Sequence, residues 1–196
     1  MNKADIKEMA LGLHFSAERL HKLLDNLLNW ARLQTGGMQY TPDIIPLREF
    51  TIDVISLLKD QANAKEIDLK LIIDDDLTFT ADANMLRSAL QNLISNAIKF
   101  TARGGKIEVC ALFNETTILF SVEDSGVGIP QKVMDQLFDI NHKYQMSGTD
   151  KEPGTGLGLI LCKELIEKQG GSLTVESEVK KGSKFTILLP KRDESC

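Results

Sequence analysis

Two stretches of this chain alternate apolar and polar residues with period two on both sides of a turn. GKIEVCALF and TTILFSVED flank residues 114–116, and SLTVESE and KFTILLP flank residues 180–183. Successive strand side chains point to opposite faces, so each hairpin carries an apolar face that has to be covered. The cover is written between and before the hairpins, in segments of helical period. Residues 47–63 read as helical, and Asp82 caps a helix through Phe100 that turns Leu86, Leu90, Leu93 and Ala97 inward. A helix from about Thr155 to Gln169 stops at Gly170-Gly171, and a short one runs from Pro130 to Phe138. EIDLKLIID reads as a strand, and TPDIIPL as a linker with a short strand. The pattern predicts an α+β fold: a two-layer α/β sandwich with helices packed on one face of a mixed, mainly antiparallel sheet.

The first segment follows a different rule. Ile6, Ala10, Leu13, Ala17, Leu20, Leu24, Leu27 and Ala31 recur at alternating steps of four and three, an a/d seam of more than three heptads. Leu23, Leu28 and Trp30 widen the apolar surface toward that of a four-helix arrangement. Gly36-Gly37 can end the helix, so residues 1–40 and 41–196 are read as two domains. An unpaired seam of this length predicts self-association as a homodimer through the N-terminal helix.

Composition narrows the partners. With a net charge of −5 and no basic cluster, a nucleic-acid backbone is not expected as a ligand. Cys110, Cys162 and Cys196 are odd in number and lack metal-ligand spacing, which suits a reducing, cytoplasmic setting. No apolar run approaches the ~18 residues of a membrane span, so no membrane contact is expected of this chain; a longer parent protein can still carry an anchor.

Chemistry concentrates in three places. In EPGTGLGLILCKEL, residues 152–165, Gly154, Gly156 and Gly158 precede a helix, which suits an anion held by backbone N–H groups and the positive helix end. Neither the P-loop nor the G-x-G-x-x-G pattern fits, because no Gly-Lys-Ser/Thr follows and Leu159 stands where the last glycine belongs. In EDSGVGIP, a strand ends in Asp124 and Gly126 and Gly128 follow. A carboxylate there can accept from an exocyclic amine such as adenine N6, or it can simply stabilise a tight turn. On the helix 82–100, Asn92, Asn96 and Lys99 share one face. Amide oxygens suit a hard cation and the ammonium suits phosphate; a solvated polar face is the alternative.

Taken in order, NLISNAIKFT, DSGVGIP, LFDI, GTGLGL and GSKFTILLP resemble the N, G1, F, G2 and G3 boxes of the catalytic ATP-binding domain of sensor histidine kinases, within the GHKL superfamily. ERLHKLLDNLLNWARLQTGG is similar to the second helix of the dimerisation and phosphotransfer hairpin that precedes that domain. The resemblance implies that Asn96, helped by Asn92, coordinates Mg2+, that Lys99 contacts phosphate and that Phe100 lines the nucleotide pocket. It implies that Asp124 binds the adenine amino group, with Gly126 and Gly128 shaping the adenine side. Gly154, Thr155, Gly156, Leu157 and Gly158 then hold the phosphates of ATP, residues from about 139 to 153 form a lid, and Thr186 approaches the adenine side. The implied partners are a phosphoacceptor histidine hairpin and a response regulator receiver domain.

The chain also departs from the family pattern. His14, His21 and His142 lack the acidic neighbour and following proline of a phosphoacceptor, so that histidine is expected on a first hairpin helix absent from this sequence. LFDINHK keeps Phe138 without a second phenylalanine, and Phe100 replaces the tyrosine of many relatives. Hydrolytic relatives place a glutamate where Asn92 stands, and an amide cannot take a proton from water. The sequence therefore favours phosphotransfer over hydrolysis, with a pure nucleotide-binding or assembly module as the competing reading.

Overall fold

The computed structural model describes residues 9, 17, 20, 23, 24, 26–33, 35–114, 116–139, 146–150, 152 and 156–191. The chain divides into two compact units, Met1–Met38 and Gln39–Cys196. In the first, residues 26–33 are helical, as are the isolated described positions before them. Ala17, Leu20, Leu24, Leu27 and Ala31 of the seam are exposed, Leu20 to 64% and Leu24 to 50%. Ile6, Ala10, Leu13, His14, His21 and His142 lie outside the described residues.

Seven strands form among the described residues of the second unit. A separate two-stranded sheet joins β1 (Asp43–Pro46) to a strand at Thr78–Ala81, β3 in chain order. Between them in sequence lies β2 (Asp68–Ile72), which belongs to the main sheet with β4 (Lys106–Asn114), β5 (Thr117–Asp124), β6 (Ser172–Glu178) and β7 (Gly182–Pro190). The spatial order of that five-stranded sheet is β2-β4-β5-β7-β6. The β2–β4 pair is parallel and the other three are antiparallel, as the two hairpin patterns require. The strand β3 has no sequence expectation behind it: its four residues gain their ladder only from a partner about 35 positions earlier in the chain.

Helices α1 (Leu47–Ser56), α2 (Lys59–Ala64), α3 (Ala83–Phe100), α4 (Gln131–Met134) and α5 (Gly158–Lys168) complete the unit. The segment expected as one helix over 47–63 is two, interrupted at residues 57 and 58. Leu86, Leu90, Leu93 and Ala97 of α3 are buried with Ile107, Val109, Phe120, Val122 and Ile187 of the sheet in a single core. The helices lie on one face of the sheet, as the alternation predicts.

α3 is also pinned at its start. Asp82 Oδ1 accepts the backbone N–H groups of Asn84 and Met85, each at 3.0 Å, which satisfies two of the helix's orphan donors. Its Oδ2 accepts the backbone N–H of Thr41 at 2.9 Å and the Thr41 hydroxyl at 3.0 Å. The Asp82 N–H donates to Gln169 Oε1 at the end of α5. α5 therefore runs antiparallel to α3, the end of one beside the start of the other.

Burial pushes the Asp82 carboxyl up, but the bonds from Met85, Thr41 and Asn84 outweigh it and hold the group below its ordinary value. Its stabilising contribution is therefore present above pH ~4 and is lost as pH falls through the lowered folded value. Asp82→Ala is expected to destabilise the chain by about 2–4 kcal/mol at pH 7 and to flatten the acid limb of stability against pH, measured by urea unfolding.

Candidate functional site

The site residues follow from how α3 is gripped. With its leucine ridge in the core, the same helix turns Asn92, Asn96, Lys99 and Phe100 to a half-buried face. Asn92 Nδ2 donates to Ser88 O at 3.0 Å, which fixes the amide and leaves Oδ1 pointing toward the first residue of α5. A Cβ on Gly158 would stand 3.0 Å from that oxygen, so the helix start can approach only as glycine or with some displacement. The Asn96 amide makes no hydrogen bond among the described residues. Lys99 Nζ lies 4.7 Å from the Phe100 ring centroid and donates to Met146 O at 3.2 Å.

α5 begins three residues later than its apolar period suggests. Gly156 has φ +75°, a left-handed backbone that cannot belong to the helix, and the helix starts at Gly158 with no side-chain cap on its N-terminus. Leu157, just before the helix, supplies no side-chain cap, and the helix start lies beside Asn92 of α3. Gly154 and Thr155 lie outside the described residues.

At the far end of α3, the turn after β5 docks on the helix. Val127 N–H donates to Phe100 O at 3.2 Å, so Asp124, Gly126 and Phe100 meet at one point. Asn92 and Phe100 are eight residues apart on one helix, which sets the two glycine turns about 12 Å apart along it. Phe138 is half-buried against the core, with Lys163 Nζ 5.7 Å from its ring centroid.

Asp124 is only 6% exposed. Its Oδ1 accepts from Gly126 N–H at 2.8 Å and from Ser183 N–H at 3.3 Å; neither bond uses Oδ2. Burial pushes its pKa up to about 6; the two N–H bonds pull the other way and nearby Glu123 adds to the rise. A carboxylate near its titration point in a buried turn is a common property of functional sites.

The turn is held from below by the β6–β7 hairpin. Lys180 N–H donates to Val127 O at 2.8 Å, and Ile129 N–H donates to Ser177 Oγ at 2.8 Å. A Cβ on Gly128 would overlap the Glu178 carbonyl, and one on Gly182 would overlap the Asp124 carbonyl; both glycines have positive φ. Gly182 and Ser183 reach Asp124 through the backbone alone, so the turn and the GSKFTILLP stretch that contain them do not by themselves reveal the contact.

One expectation is corrected. Thr186 pairs with Ser121 on β5, whereas Asp124 pairs with Ser183 three positions away. Strand alternation puts Ser183, Phe185 and Ile187 on the buried helix face and Thr186 on the opposite face, away from the Asp124 carboxylate.

Known proteins resemble this chain in sequence and in fold. Residues 81–193 match the family described as histidine kinase-, DNA gyrase B-, and HSP90-like ATPase. The sensor protein SrrB of Staphylococcus aureus (strain MRSA252) is 32% identical over 187 residues, 95% of this chain and 32% of that protein. The chain thus spans about a third of the length of the curated relatives it matches. Among solved structures, the catalytic domain of histidine kinase ThkA superposes with a TM-score of 0.67 at 29% identity, covering 79% of this chain and 97% of its own. Full-length ShkA in complex with AMPPNP gives 0.80 at 26% identity, covering all of this chain and 41% of its own.

Gly182→Ala is expected to destabilise the chain by about 2 kcal/mol or more, because it meets both a backbone oxygen and an unfavourable φ. Urea unfolding checks this, with Gly104→Ala, at a positive φ in open space, expected to show a smaller loss.

Proposed function

The chain belongs to the histidine kinase-, DNA gyrase B- and HSP90-like ATPase family, as a GHKL-type histidine kinase ATP-binding domain, and from that premise we propose what it does. It is the catalytic module of a two-component sensor histidine kinase. It holds Mg-ATP between the two glycine turns and delivers the γ-phosphoryl group to a histidine presented by a hairpin helix, for relay to a response regulator receiver domain. Residues 41–196 are the catalytic domain, and residues 1–40 contribute the second hairpin helix, whose exposed seam supports pairing with another copy. The setting proposed is cytoplasmic; among the described residues no helix is long and apolar enough to cross a membrane.

Asp124 carries this reading. Main-chain N–H groups occupy Oδ1, which leaves Oδ2 for a donor such as the adenine amino group, while Gly126, Gly128 and the Phe100 side chain border the base. At the other end, Gly154, Thr155, Gly156, Leu157 and Gly158, with the uncapped start of α5, receive the phosphates. Lys99 exchanges the Met146 carbonyl for phosphate oxygen.

Among the described residues no group of three or more His, Cys, Asp or Glu side chains could hold a metal ion. The amide oxygens of Asn96 and Asn92 fit a magnesium ion that arrives with the triphosphate, since such ions keep most of their shell as water and phosphate oxygen. Bound there, the ion supplies charge neutralisation at the phosphates. Asn92 cannot abstract a proton from water, so the chain's own residues orient the triphosphate and retain it until a histidine is presented in line.

The chain is therefore expected to bind Mg-ATP in calorimetry and to release phosphate far more slowly than it binds nucleotide. Binding requires ionised Asp124, so affinity is expected to fall about tenfold per pH unit below about 6. Asp124→Asn keeps an acceptor for Gly126 and Ser183 but places an NH2 group at the Oδ2 position. It is expected to abolish ATP binding and, by removing a buried charge, to raise stability at pH 7 by about 1–3 kcal/mol in urea unfolding. Unaltered ATP affinity in this variant overturns the assignment of Asp124.

A further inference from the structure

Lys65 is the only buried cationic side chain among the described residues, with 4% of its surface exposed, and no part of the proposed chemistry uses it. It ends α2, far from the glycine turns in sequence, yet its ammonium reaches the last turn of α3. Lys65 Nζ donates to Ile98 O at 2.9 Å and to Lys99 O at 3.1 Å, two carbonyls at the negative end of that helix. It also donates to Thr149 Oγ1 at 2.6 Å and to Glu152 Oε1 at 2.8 Å. Its own carbonyl accepts from Gly104 N–H at 2.9 Å, so side chain and backbone together hold the chain as it leaves α3.

Residues 146–150 and Glu152 are arranged around this ammonium. Thr149 N–H donates to Lys99 O at 3.0 Å, and the Thr149 hydroxyl donates to Thr101 O at 2.8 Å. Glu152 closes the loop on itself: its Oε2 accepts Asp150 N–H and its carbonyl accepts Gly148 N–H, both at 2.8 Å. Burial works against ionisation of Glu152, but the Lys65 ammonium and the backbone N–H groups hold its carboxyl below the ordinary range. A buried ammonium is tolerated only when its donors are satisfied and its charge is matched, and here both conditions are met by groups from two separate segments.

We propose that Lys65 is a positioning residue for the triphosphate: with Glu152 and Thr149 it clamps the segment leading into the glycine turn to the end of the helix that carries Asn92, Asn96 and Lys99. The clamp fixes the spacing between the backbone at residues 156–158 and the amide face of α3. The Asp124 turn rests on Phe100 O and on the β6–β7 hairpin, neither of which Glu152 or Thr149 bonds, so loss of their contacts acts on the phosphate side. This inference rests on the nucleotide reading above.

The test compares Mg-ATP with adenosine by calorimetry on the full chain and on Glu152→Ala and Thr149→Val, which spare the carbonyls at the end of α3. Freeing one or two restrained residues is expected to weaken Mg-ATP binding roughly tenfold. Adenosine affinity is expected to stay within about twofold, because Asp124 is untouched. A purely structural role would move both ligands together or only the unfolding midpoint, and that result overturns the proposal. ATP binding that is unchanged or tighter in Glu152→Ala also overturns it. A wild-type chain that binds neither ligand overturns the nucleotide reading and this inference with it, whereas wild-type binding with no ATP-selective loss in the variants sinks the clamp alone.

Discussion

Burial of the Leu86–Leu90–Leu93–Ala97 ridge against the sheet is the constraint from which the rest of the unit follows, because a helix has one rotation about its axis. Once those four side chains are in the core, Asn92, Asn96 and Lys99 have no choice of direction. The two glycine turns then meet the same helix at opposite ends of its polar face: Gly158 against Asn92 and Val127 against Phe100. The site is thus a by-product of core packing, and its precision is that of the core. This is a more rigid support than the turns could supply by themselves.

Two buried aspartates show how the same residue type is put to different uses. Asp82 receives four hydrogen bonds spread over both carboxylate oxygens and is held ionised, so it stabilises the fold at neutral pH. Asp124 receives two, both on one oxygen, and its carboxyl is pushed up to about 6. The difference is a matter of satisfaction: a buried charge with open acceptor capacity is destabilising, and that capacity is what a ligand donor can complete. In the proposed reading the instability at Asp124 is offset when a nucleotide binds.

Glycine serves this chain mainly by what its absence of a side chain admits. Gly182 lets β7 begin against the Asp124 carbonyl, and Gly128 lets its turn lie on the Glu178 backbone. The tight contact between these turns holds the Asp124 carboxylate through main-chain donors. Lys65 adds an ammonium at the C-terminal end of α3, tying a loop to the helix end through four acceptors.

Much of this is legible in the order of the residues. Period-two alternation determined the two hairpins and the one-sided helical layer, and period 3.6 behind Asp82 determined α3 and the face that bears its amides, because these patterns are local consequences of backbone geometry. The order of glycine and asparagine motifs pointed to the family. What the sequence by itself did not disclose depended on contacts between distant segments. The strand β3 forms only because β1 is available, Ser183 holds Asp124 through an N–H that every non-proline residue has, and Thr186 is turned away by a register that only the assembled sheet defines. Lys65 is an ordinary lysine in the sequence; it becomes a buried anchor only when α3, Thr149 and Glu152 close around it, since its role lies in carbonyls, a hydroxyl and a carboxylate 33 to 87 positions away.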